Sequence, residues 1–154
     1  MHTEKPIKKG GPRTLARLAA VQALYQLEMQ EEPNAGQTVA EYIEHRLGKE
    51  IEGDTYAEAD AVLFKDIVSN SFVRQTELDE KIIPHLNETW PFLRIERILR
   101  AILRAGMYEI AARPDVPTPV IINEYVDIAH AFFDRKEANF VNGILDKLAK
   151  EHRT

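Results

Sequence analysis

The sequence predicts an all-α fold, a bundle of about seven helices in two subdomains with no β-sheet. Apolar residues recur at helical spacing along most of the chain, no stretch alternates as a strand would, and proline and glycine clusters separate segments of helical length. The 154 residues are enough for one domain. With no cysteine in the chain, its stability must come from packing and not from disulfides.

The first helix is predicted over Leu15–Met29, which is apolar or small on almost every side, as expected for the central helix of a bundle. Thr38 followed by Glu41 has the pattern of a capping box and predicts the start of a short second helix. Thr55 with Glu58 predicts the third helix in the same way. The inward face of this third helix is expected to consist of Phe64, Ile67, Val68 and Ser71.

The middle of the chain contains a strong break. Thr76 with Asp79 predicts a weaker fourth helix start, and the run Thr89-Trp90-Pro91 then interrupts the pattern, because the residue before a proline is disfavoured in a helix. We place the seam between the two subdomains at residues 89–91.

The fifth helix, predicted over Phe92–Ala112, carries a stripe of three arginines and one misplaced acid. The stripe is either a solvated face supported by nearby acids or a docking surface for a partner, and it consists of Arg97, Arg100 and Arg104. Glu109 falls on the apolar face instead, where a carboxylate needs a hydrogen-bonding or cationic partner. A buried structural pair is favoured there over a catalytic role.

Two helices are predicted after the prolines at 114–119. They cover Val120–Phe133 and Glu137–Glu151, and the last one has the most regular apolar pattern of the chain. Gly143 lies inside it and costs helix stability of about 1 kcal/mol relative to alanine. We therefore expect another backbone to approach closely at Gly143.

The net charge of −5 is unevenly distributed. Residues 1–17 contain five cations and one acid, a balance of +4 that leaves −9 on the rest of the chain. Residues 1–12 are expected to form a flexible basic arm before a single helical domain over 13–154. Arg13 and Arg17 would lie in the first turns of a helix, where cations oppose the helix dipole unless an anion such as phosphate binds. The alternative is an ordinary solvated terminus.

The sequence shows no pattern typical of an active site. The histidines lack metal-ligand spacing, and the glycine-rich and GxSxG motifs of nucleotide-binding proteins and hydrolases are absent, so we expect neither catalytic residues nor a metal or cofactor. No segment is apolar enough to cross a membrane and no export signal is recognisable, which favours a cytoplasmic location. These observations predict a binding protein, not an enzyme.

Four ordered motifs resemble the NusB family of transcription antitermination proteins. The segment ARLAAVQALY at 16–25 is similar to the family's first helix, and NFVNGILDK at 139–147 is similar to its closing helix. Between them, ILRAILRAGMYE at 98–109 and the stretch from Val116 to Glu124 match the family's ILRxAxYE and DVP…INE segments in order and spacing. The resemblance spans about residues 13–150.

The resemblance implies a helical protein that pairs with NusE, a protein of the small ribosomal subunit. The pair would bind the single-stranded boxA element of nascent RNA, typically from ribosomal RNA operons, and help RNA polymerase read through terminators. Such RNA is generally held by its phosphates and read by stacking and hydrogen bonds to unpaired bases. The residues expected to contact phosphate are Lys8, Lys9, Arg13, Arg17 and Lys136. Those expected to contact bases are Gln22, Tyr25, Phe140 and Asn142, although core packing is favoured for Phe140. The arginine stripe would dock the protein partner.

Two other interpretations stay open at this point. The same helical module also occurs as the N-terminal part of a ribosomal RNA cytosine methyltransferase, whose catalytic domain would have to follow it. The chain could also be a protein-interaction module without RNA affinity. A homodimer that covers the RNA surface, as is thought to occur in some relatives, is compatible with the leading interpretation.

Overall fold

A computed structural model describes residues 11–47, 60–86, 91–92 and 95–153, and within them the chain is helical without a β-strand. The α-helices of these residues are α1 Pro12–Met29, α2 Ala35–His45, α3 Ala61–Val73, α4 Gln75–Ile82, α5 Arg97–Ala112, α6 Thr118–Phe132 and α7 Arg135–His152. A 3₁₀ turn, Ile83–His85, follows α4. The predicted all-α class with about seven helices is confirmed.

Helix starts differ from the predicted ones because other side chains form the caps. The Asn34 side chain accepts a hydrogen bond from the Gln37 amide at 3.0 Å and starts α2, whereas Thr38 is buried inside that helix. The Asp60 carboxylate caps α3 by accepting from the Leu63 amide at 2.9 Å. The capping box expected at Thr38 is therefore wrong. Several predicted features lie outside the described residues, namely the Thr55–Glu58 capping box, positions 89 and 90 of the seam, and residues 1–10 of the basic arm.

Helix α5 is the centre of the bundle. Every residue from Leu99 to Ile110 is buried, and α5 packs against α1, α3, α4, α6 and α7. We expected α1 in this position, but α1 exposes Tyr25 and Met29 along one side. The predicted inward face of α3 is confirmed, since Phe64, Ile67, Val68 and Ser71 are all buried. None of the described helices is both long and apolar enough to span a membrane.

The close approach expected at Gly143 occurs at a different glycine. Gly143 is exposed, and no atom lies within 4 Å of the position that its Cβ would occupy. At Gly106, in contrast, a Cβ would lie 2.9 Å from Cδ2 of Leu145. Helix α7 therefore packs this closely on α5 because residue 106 has no side chain.

Candidate nucleic-acid interface

The predicted RNA-contacting residues of α1 lie partly on its surface. Arg13 is exposed at the start of the helix, with its Nε 4.0 Å from Oδ2 of Asp60, a long surface pair that contributes little to stability. Tyr25 is 38% exposed, and Gln22 is half-buried one turn earlier. Residues three apart are neighbours on a helix, so Gln22 and Tyr25 present one polar and aromatic patch. Lys8 and Lys9 lie outside the described residues.

Arg17 does not lie on this surface. Its side chain is 2% exposed, and its guanidinium forms a two-pronged contact with Glu109 of α5, Nε to Oε2 at 2.7 Å and Nη2 to Oε1 at 2.9 Å. Burial lowers the pKa of Arg17, but the hydrogen bonds and charge of Glu109 outweigh this effect, so the pKa is raised and the group stays charged. The expected phosphate contact by Arg17 does not agree with this placement, because a buried and paired guanidinium is not available to an external anion.

Helix α6 completes the network around Arg17. Glu124 Oε1 accepts from Arg17 Nη1 at 3.0 Å and from Thr14 Oγ1 at 2.8 Å, and the Tyr125 hydroxyl donates to Glu109 Oε2 at 2.5 Å. Burial, followed by the charge of Glu109, raises the pKa of Tyr125, which keeps this proton in place. The buried structural pair predicted for Glu109 is present. Its partner is Arg17, which we had expected to contact phosphate.

The predicted contacts on α7 lie on two sides of that helix. Lys136 is exposed and Phe140, four residues later, is partly buried against the core, so the two are neighbours on one face. Asn142 is exposed, but two residues after Phe140 it points in another direction. Helix α7 packs against α5 and α6, and α1 packs against the same two helices. The candidate residues are therefore carried by two helices that share the same support.

Of the three arginines in the predicted stripe of α5, Arg97 alone lies on the surface. Arg97 is exposed, but Arg100 and Arg104 are 8% and 6% exposed. Arg100 Nη2 contacts Glu28 Oε1 at 2.5 Å, and Arg104 contacts both carboxylate oxygens of Asp79, at 2.7 and 2.9 Å. The prediction of an exposed stripe is wrong for these two arginines, because carboxylates from α1 and α4 allow their charges to be buried.

The comparison with known proteins adds to this geometry. The NusB family model matches residues 14–150, nearly the whole described chain. The chain belongs to the NusB family. A transcription antitermination protein NusB from Rhizobium rhizogenes is 51% identical over 152 residues, which are 97% of this chain and 93% of the relative.

Solved NusB structures share the fold. NusB from T. maritima matches with a TM-score of 0.76 and 28% identity over 99% of this chain and 96% of its own. A crystal structure of the antitermination factors NusB and NusE in complex with double-stranded RNA matches with a TM-score of 0.70 and 25% identity, over 90% of this chain and 96% of the matched chain.

The three buried arginine–carboxylate pairs could not be predicted from the sequence, for one shared reason. The partners of Arg17, Arg100 and Arg104 lie 92, 72 and 25 residues away, so no local spacing connects them. The one available signal was Glu109, a carboxylate on an apolar face, which demanded a cation without saying which one. Among the described residues, no group of histidines and carboxylates could hold a metal ion.

Proposed function

We propose that this chain is an RNA-binding transcription antitermination factor. Together with NusE it binds the boxA element of nascent transcripts, including those of ribosomal RNA operons, and promotes read-through by RNA polymerase in the cytoplasm. The activity is binding and not catalysis. The observation that carries this proposal is the family match, supported by relatives named for antitermination and by a related NusB solved with NusE and RNA.

Phosphate contacts would come from cations at two helix starts. Arg13 lies in the first turn of α1, and Arg135 and Lys136 lie in the first turn of α7. The start of α1 has no side-chain cap, so its amides favour an anion and Arg13 is better accommodated when a phosphate binds there. The start of α7 already carries the capping box of Asp134 and Glu137, so the cations there would hold phosphate by their own charge. Lys8 and Lys9 would extend the first group. Arg17 is buried, so it would support the phosphate contacts of the first group from inside the protein without contacting phosphate itself.

Base contacts would come from Gln22, Tyr25, Phe140 and Asn142. The exposed part of the Tyr25 ring is available for stacking, and the Gln22 amide beside it can both donate and accept hydrogen bonds. Phe140 presents only part of its ring because it also packs against the core. We therefore assign the larger stacking contribution to Tyr25.

The experiment is fluorescence anisotropy with a labelled boxA RNA, with and without NusE, at several salt concentrations. Arg13→Glu is expected to weaken binding and to reduce the slope of log affinity against log salt by at least about 0.7, the contribution of one phosphate contact on a single strand. Lys65→Glu, the same charge reversal at an exposed position of α3, is the matched control and should leave the affinity unchanged.

Stacking is tested with an uncharged pair of variants. Tyr25→Ala should weaken RNA binding by roughly 5- to 150-fold, the range for one aromatic stack, whereas truncation of the exposed Val73 to alanine should not. The assigned site would be wrong if each variant changed the RNA affinity no more than its control. The two comparisons are Arg13→Glu with Lys65→Glu and Tyr25→Ala with Val73→Ala. The absence of salt-dependent RNA affinity even with NusE would favour the protein-interaction module instead.

We propose a narrower surface for NusE than the sequence predicted. Of the three α5 arginines, Arg97 is the one on the surface, so we assign a direct contact with NusE to Arg97 alone. Arg97→Glu should reduce the affinity for NusE measured by calorimetry without changing the melting temperature. An unchanged affinity would place NusE on another face.

A further inference from the structure

We propose that Glu109 is a positioning residue for the RNA surface, an inference that rests on the proposed function. Through Arg17 it fixes the rotation of α1 about its own axis, and this rotation determines where Arg13, Gln22 and Tyr25 point. Glu109 itself is fully buried, so its role would be to position other residues and not to contact RNA.

The geometry of the contact is suited to this role. Each carboxylate oxygen of Glu109 accepts a hydrogen bond from one nitrogen of the Arg17 guanidinium. The contact therefore fixes both the distance and the plane of the guanidinium. Arg17 lies four residues after Arg13, on the same side of α1. A rotation of α1 that moved Arg13 would therefore have to break the contact with Glu109.

The packing of α1 makes such a fixed point necessary. Apart from Arg17, the buried side of its first half consists of alanines, Ala16, Ala19 and Ala20, whereas the larger buried residues Val21, Leu24 and Leu27 lie in its second half. Methyl groups interlock weakly with a neighbouring helix, because they offer neither deep ridges nor deep grooves. Apolar packing alone would thus specify the orientation of the first half of α1 less well than that of the second half, and a directional polar contact near Arg13 can complete it.

Helix α6 strengthens the contact from a second direction. Glu124 holds both Thr14 and Arg17, while the Tyr125 hydroxyl holds Glu109 in place. Because α7 packs on α6, the same network relates the RNA residues of α1 to those of α7. Glu109 is the buried group that contacts both α1 and α6 within this network.

The test compares three variants in the anisotropy assay with NusE and boxA RNA. Glu109→Gln removes the charge and the second acceptor, and should weaken RNA binding by at least about fivefold at a temperature where its helical circular dichroism is native, since one misaligned aromatic stack costs roughly that much. Asp66→Asn is the matched control. It also removes a carboxylate that contacts α5 and its C-terminal end, at Tyr108 and Arg113, but Asp66 lies on α3 and these hydrogen bonds do not involve α1.

The double variant Arg17→Met with Glu109→Leu separates positioning from stability. Replacing both partners by apolar groups removes the unpaired buried charge, and such replacements often restore stability. Because the buried Tyr125 hydroxyl loses its acceptor, RNA binding is measured at a temperature where the helical circular dichroism of the double variant is native. There we expect it to bind RNA at least about fivefold more weakly than the original. RNA affinity equal to that of the original chain would overturn the proposal, because the polar contact would then contribute stability alone.

A second readout does not depend on RNA. The chain has no cysteine, so spin labels can be attached at Gly11→Cys, whose added side chain meets nothing within 4 Å, and at the exposed Asn139→Cys of α7. The distribution of distances between the labels should be broader or shifted in both Glu109 variants and unchanged in Asp66→Asn. An identical distribution in all variants would overturn the proposal. Failure of the unmodified chain to bind RNA would instead reject the proposed function, while the label distances would still decide whether Glu109 orients α1.

Discussion

The substitution Asp79→Asn tests whether Arg104 is buried, as in the structure, or exposed. Asp79 on α4 accepts from Arg104 Nε and Nη2 at 2.7 and 2.9 Å, and the side chains of Asp79 and Arg104 are 19% and 7% exposed. Asparagine removes the negative charge and one of the two acceptors. Of its two carboxylate partners, Arg104 then keeps Glu28, whose Oε2 lies 3.6 Å from its Nη1.

The expected cost lies between two limits. Removing one partner of a fully buried pair costs about 3–5 kcal/mol, whereas an exposed pair contributes about 0.2–1 kcal/mol. Because Asp79 reaches solvent and Arg104 retains Glu28 nearby, we expect a loss of about 2 kcal/mol in the free energy of unfolding. For a chain of this size that corresponds to a fall of roughly 4–8 °C in melting temperature.

The assay is urea unfolding followed by helical circular dichroism, completed as a double-mutant cycle with Arg104→Met. The cycle should give a coupling energy of at least about 0.5 kcal/mol, since the two residues are in direct contact. If Arg104 were the exposed docking residue that the sequence predicted, Asp79→Asn would change stability by less than about 0.5 kcal/mol, as most surface substitutions do. Such a small loss, with no coupling, would refute the buried placement.

Three further predictions concern stability. Gly143→Ala should raise the free energy of unfolding by about 0.5–1 kcal/mol in a urea titration, because the site is helical, exposed and open around the new methyl group; a loss would mean that something packs there. Burial and the hydrogen bond to Asp66 raise the pKa of Tyr108 to about 12. As pH rises, Tyr108 therefore loses its proton in the unfolded state before it does so in the folded state, and the stability that it contributes should be lost between about pH 10 and pH 12. Tyr108→Phe should flatten that part of the pH profile. Arg153→Ala should cost about 1–3 kcal/mol, measured as a lower urea midpoint, because its guanidinium donates to the carbonyl oxygens of Ile110, Arg113 and Val116 at 2.9, 2.8 and 2.7 Å.

The fold was predictable because helical periodicity reports which side of each helix is buried. The inward face of α3 was found in this way, and so was the buried carboxylate of Glu109 on α5. Cap positions were less predictable. Asn34 and Asp60 start their helices, although Thr38 had a more complete local pattern, because the direction in which the chain enters a helix selects the cap and depends on packing.

The ion pairs were not predictable from local sequence. Arg17, Arg100 and Arg104 occupy positions that periodicity assigns to the polar side or the start of a helix. Each is buried because a carboxylate on another helix neutralises it, at Glu109, Glu28 and Asp79. Between Leu99 and Ile110, α5 is covered on all sides and has no solvated face, so its polar residues there must find partners inside the protein.

These pairs also change what the charge of the N-terminal segment means for RNA. The balance of +4 over residues 1–17 counts Arg17, but Glu109 neutralises that guanidinium inside the protein, so it adds little to the field outside. Within the described part of that segment, Arg13 is the cation that reaches solvent. Only accessible cations release counterions from a bound strand. The double variant Arg17→Met with Glu109→Leu removes an orienting contact and not a phosphate contact. Its salt slope of RNA binding should therefore stay closer to that of the original chain than the salt slope of Arg13→Glu does. This should hold even where the affinity of the double variant for RNA falls.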